Sequence, residues 1–165
     1  IEKHDSPPDG NNPKAGEEFT DAIDDNLKPA DREQLAPIVA AIRHAENGPD
    51  GPPPRGRKHL EYGILHNKDT HPNCPRCPGH APDDYRGQAG WCAATVQKNF
   101  DRYKKAGGDP KNTKKFIIFL GGRFCPVGAD NDLPCPCGRP PEGRTLNSHW
   151  IPNVTFYWKK LTKDC

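Results

Sequence analysis

Proline and glycine punctuate this chain so densely that few windows are long enough for regular structure. There are 20 prolines and 16 glycines among 165 residues. Runs such as Pro52-Pro53-Pro54 remove backbone donors and fix φ, so they belong neither in helix interiors nor in central strands. Residues 1–16, with Pro7, Pro8, Gly10, Pro13 and Gly16 among charged neighbours, read as an extended N-terminal arm. Residues 17–165 read as a single domain of ordinary size. Only 32% of the residues are apolar, so the core is modest and cross-linking by disulfides or zinc is expected to support it.

Between the breakers, hydrophobic periodicity predicts a short helix over 17–27. A better one opens at Pro29-Ala30-Asp31, in which Leu35, Ile38, Val39 and Ile42 recur at helical spacing before Asn47-Gly48 stops it. The clearest helix carries Cys92, Val96, Phe100 and Tyr103 on one face, has Lys104 and Lys105 in its last turn and ends at Gly107-Gly108. Residues 60–66 read as a short strand, 114–124 as a buried strand around Phe116-Ile117-Ile118-Phe119-Leu120, and 149–158 as a strand with Val154, Phe156 and Trp158 on one face. No internal repeat and no nucleotide-binding glycine fingerprint interrupts this order. The expected fold class is α+β, with helices packed on a small, mostly antiparallel sheet between long loops.

No run approaches the length of a bilayer span, so membrane insertion is not expected. Lys plus Arg number 24 against 22 Asp plus Glu, a near balance that makes nucleic acid an unlikely partner. The chain begins at Ile1, lacks methionine, holds seven cysteines and carries an Asn153-Val154-Thr155 sequon. Together these predict an exported, processed glycoprotein.

The stretch Gly87-Gln88-Ala89-Gly90-Trp91-Cys92 places a thiol at the expected start of a helix, where partial positive charge and unpaired N–H groups would stabilise a thiolate. His149, at the expected start of a strand, is a candidate to accept its proton, with Asn153 or Asp130 to orient the ring. The segments Gly90-Trp91-Cys92-Ala93-Ala94 and Ser148-His149-Trp150-Ile151 resemble the papain-like cysteine hydrolase superfamily, including its small CHAP and NlpC branches. The resemblance covers residues 86–158. It implies that Cys92 attacks an acyl carbon of a peptide, protein or cell-wall substrate, that His149 is base and then acid, and that Gln88 faces the oxyanion. The alternative for Cys92 is a core-facing position beside Val96 and Phe100, as a buried half-cystine.

Two further cysteine groups read in more than one way. Cys74-Pro75-Arg76-Cys77 has the spacing of a zinc knuckle that Cys135 and Cys137 would complete, with His71 or His80 as substitutes. Alternatively six of the seven cysteines, such as Cys74, Cys77, Cys125, Cys135, Cys137 and Cys165, are half-cystines of three bridges, and the one left over is Cys92 or the terminal Cys165. His44-Ala45-Glu46 with Cys74 and Cys77 also resembles the zinc-dependent nucleobase deaminases, implying zinc on His44, Cys74 and Cys77 with Glu46 shuttling protons. The remaining class is a non-catalytic effector or binding protein that works through its surface. It would use basic runs such as Lys111, Lys114, Lys115 and Arg123 or Arg55, Arg57 and Lys58, or the aromatics Trp150, Tyr157 and Trp158.

Overall fold

The computed structural model of the chain describes residues 14–47, 85–124 and 146–162. They form α1 (Ala15–Asn26), α2 (Arg32–Asn47), α3 (Tyr85–Lys105), α4 (Thr113–Phe124) and α5 (Leu146–Leu161). No strand occurs among the described residues. The expected α+β class is therefore overturned: the described residues form an all-helical architecture. The strand expected at 60–66, residues 1–13 of the arm and the long cysteine-bearing loops lie outside the described residues, while Ala15 and Gly16, expected in the arm, open α1.

α1 begins with Glu17 and Glu18 in its first turn, which favours the helix dipole, and buries Phe19, Ala22 and Ile23. It stops where Leu27 turns extended, φ −105° and ψ 139°. Arg32 then folds back over its C-terminal end. Its Nη2 donates to the Asp24 carbonyl at 2.6 Å and its Nε to the Leu27 carbonyl at 3.2 Å, so a cation covers acceptors the helix leaves open.

α3 carries the longest interior stripe. Gln88, Ala89, Cys92, Ala93, Val96, Gln97, Phe100 and Tyr103 are all buried, and the helix packs on α1, α2 and α4 while α5 packs across α2 and α4. Gln97 fastens the α1–α2 connection to it. The Gln97 side-chain oxygen accepts the Lys28 N–H at 2.9 Å, and its amide nitrogen donates to Asp31 at 2.9 Å and to Asp101 at 3.2 Å. A buried amide with both ends engaged fixes register as well as distance.

The α3–α4 corner is equally determined. Gly107 takes φ +90°, its N–H reaches the Lys104 carbonyl and that of Gly108 reaches Tyr103, the paired bonds of a Schellman ending. A Cβ on Gly108 would stand 2.3 Å from the Tyr103 ring, so only glycine fits there. The Tyr103 hydroxyl donates to the Asp109 carbonyl at 3.0 Å, and Asn112 caps α4 by accepting the Lys115 N–H at 3.1 Å. Gln34 of α2 donates to Pro110 and Thr113, which ties the corner to the neighbouring helix.

Two sequence expectations fail on α4 and α5 for identifiable reasons. The run 116–120 is apolar throughout, and such a run has no period that separates strand from helix. In the fold its burial follows the helical period: Phe116, Ile117 and Leu120 are buried, whereas Ile118 and Phe119 are 57% and 39% exposed. The alternation of Val154, Phe156 and Trp158 is likewise not a strand face. Trp150 and Val154, one turn apart, are buried, while Phe156 is 54% exposed and Pro152 stands inside α5.

Gly121, which resembles a breaker, is instead where α4 and α5 meet. A Cβ there would lie 2.6 Å from Ile151 Cγ1, whereas one on Gly122 meets nothing within 4 Å. Gly121→Val is expected to destabilise the fold by about 1–3 kcal/mol. Gly122→Ala should stabilise it by up to about 1 kcal/mol through helix propensity. Urea unfolding of the two variants checks both signs, and equal midpoints would contradict this packing.

Candidate functional site

α3 begins at Tyr85, so Cys92 stands about two turns inside the helix rather than at its start. The open N–H groups belong to the first turn, and the thiolate-stabilising position that the sequence suggests for Cys92 does not arise. Cys92 is the single cysteine among the described residues. It is fully buried, as is Gln88 one turn earlier on the same face.

His149 lies in the first turn of α5, not at the head of a strand; its side chain is outside the described residues. Asn153, one turn further along α5, is exposed, and Asp130 lies outside the described residues. The helices therefore bring Gln88 and Cys92 together, in the interior.

His44 is buried near the end of α2, its ring stacked on Tyr157 of α5 at 5.3 Å and 27°. Packing between two helices is the use the fold makes of this imidazole. The Glu46 side chain and Cys74, Cys77, Cys135, Cys137, His71 and His80 lie outside the described residues. Among the described residues no three His, Cys, Asp or Glu side chains gather as a metal site.

A concavity that sequence reasoning missed lies between α1 and α3. It encloses about 580 Å³, opens widely to solvent, and is lined by Glu18, Asn26, Arg86, Gly87, Gly90, Trp91 and Ala94. Its origin is local: Gly87, Gly90 and Ala94 fall on one face of α3 and leave it nearly bare of side chains. Gly90 also admits Asn26, whose Nδ2 would stand 3.2 Å from a Cβ at that position while it donates to the Ala22 carbonyl at 2.9 Å.

Trp91 is half-buried and packs against the core; Arg86 holds Asp25 of α1 at 3.6 Å on the rim. An aromatic face, a carboxylate, an amide and a guanidinium around a bare floor suit retention of a polar ligand with a flat apolar side. The lining contains no thiol, hydroxyl or imidazole. The spacing of Gly87, Gly90 and Ala94 is the signal from which the cleft was readable.

No protein-family model matches the chain, and neither a curated protein nor a solved structure matches it.

The Arg86–Asp25 pair is 57% and 66% exposed, so solvent and salt screen it and it contributes little to folding. Arg86→Ala is expected to leave the unfolding free energy within about 0.5 kcal/mol of wild type. A larger loss in denaturant titration would show that the rim arginine is structural.

Proposed function

We propose that this chain is a non-catalytic binding protein, a helical scaffold that acts through its surface. The observation that carries this reading is the burial of Cys92 and Gln88, both 0% exposed on the interior stripe of α3. An acyl carbon has no approach to a sulfur closed in on every side, and a buried thiol in apolar company is a poor thiolate. The papain-like reading also draws on a sheet to present its histidine, and the described part of the chain is helical. Export and disulfide bridges among Cys74, Cys77, Cys125, Cys135, Cys137 and Cys165 remain part of the proposal, since a small exported protein commonly relies on such cross-links. The α1–α3 cleft gives the scaffold a ligand-sized recess, and its exposed helix faces give it interaction surfaces.

Thiol accessibility tests the reading. Iodoacetamide added to the native protein is expected to leave Cys92 unmodified, and the same reagent in guanidinium should label it fully, as read by peptide mapping. Rapid labelling of Cys92 in the native state, faster than an exposed model thiol, would overturn the proposal and restore the hydrolase.

A further inference from the structure

We propose that the outer face of α4 docks on an anionic phospholipid surface. This inference rests on the reading of the chain as a surface-acting protein and names one such surface with its partner.

Lys111, in the turn before α4, and Lys114, Lys115, Ile118, Phe119 and Gly122 follow one another at helical spacing and are all exposed. The opposite face, Phe116, Ile117, Leu120 and Gly121, is buried. α4 contains no acidic residue. Its outer face is therefore cationic at the N-terminal end and apolar one turn further on.

Folding accounts for neither the lysines nor Ile118 on this face. Cations in and before a first turn oppose the helix dipole, which favours carboxylates there, as α1 has with Glu17 and Glu18. Lys111 and Lys115 use their backbone N–H groups on Asp109 and Asn112, which secures the turn without requiring a charged side chain. Ile118 at 57% and Phe119 at 39% exposure keep apolar area in water, although Phe119 rests one edge near Tyr103 at 5.6 Å.

An anionic bilayer interface matches both halves at once. Phosphate-bearing headgroups offset the lysines and the adverse dipole, while Ile118 and Phe119 reach the acyl boundary. A nucleic acid would satisfy the lysines but offers no apolar layer to Ile118. The bonds from Gln34 and Tyr103 hold the corner rigid, so the face is presented without an ordering cost. This is docking on a membrane, not crossing one: among the described residues no helix is long and apolar enough to span a bilayer.

The test is co-sedimentation of the full chain with vesicles of phosphatidylcholine alone and of phosphatidylcholine carrying roughly a third phosphatidylserine. Binding is expected to the mixed vesicles only, to weaken as salt is raised, and to resist soluble glycerophosphoserine at the same headgroup concentration. The triple change Lys111→Glu, Lys114→Glu, Lys115→Glu should lower partitioning by more than about a hundredfold, since each reversal removes an attracted charge and adds a repelled one. Ile118→Ser with Phe119→Ser should lower it about tenfold or more.

Circular dichroism of each variant confirms that the helices persist, and Lys111→Gln, Lys114→Gln, Lys115→Gln serves as the milder substitute if charge reversal unfolds the chain. No binding to the mixed vesicles, equal binding to both vesicle types, unchanged binding by the folded variants, or capture by RNA or polyglutamate without vesicle binding would each overturn the proposal. Cys92 protection is read separately, so a failure here is distinguishable from failure of the surface-acting reading.

Discussion

The interior stripe of α3 is the constraint from which the rest of the fold follows. Ala89, Cys92, Ala93, Val96 and Phe100 leave water together, and at roughly 25 cal/mol per Å² of apolar area the helix is held far more by this burial than by its own propensity. The small side chains at one end admit α1 closely. The large rings at the other end meet α4, with Phe100 edge-on to Phe116 at 5.0 Å. Gln97 converts that packing into a register by holding Lys28, Asp31 and Asp101 at once. Cys92 is one member of the stripe, and its place there decides what its sulfur can do.

The same geometry sorts the charges. Exposed Glu17, Asp21 and Asp25 line α1, while Arg102, Lys105, Lys111, Lys114 and Lys115 crowd the α3–α4 corner. A net charge of only +2 therefore coexists with local runs of one sign among the described residues. This is why overall balance is a poor guide to partners here: a surface presents local fields, screened beyond roughly 10 Å at moderate salt.

How much of this was legible in the sequence depends on the signal each element carried. α1, α2 and α3 announced themselves through apolar residues at helical spacing and through Gly107-Gly108, and all three are present. α4 and α5 did not, because 116–120 is uniformly apolar and 150–158 has a two-residue alternation by accident of where Phe156 points. Pro152 reads as a strand edge or bulge, yet it stands inside α5, and Gly121 sits within α4 because Ile151 occupies the space of its side chain. Cys92 stands about two turns further into α3 than the sequence suggests, because Gly87 and Gly90 read as a loop although they lie within the helix. The cleft beside Trp91 was overlooked for the same reason: its floor is made of glycines that were assigned to no element.

Hydrogen exchange along α3 tests the central claim most directly. If the stripe organises the fold, the amides from Cys92 to Phe100 should be the slowest to exchange, opening only with global unfolding and well behind those of the exposed α3–α4 turn. Exchange of this segment as fast as that of the turn would mean that α3 is not the buried spine described. Cys92 would then again be open to chemistry.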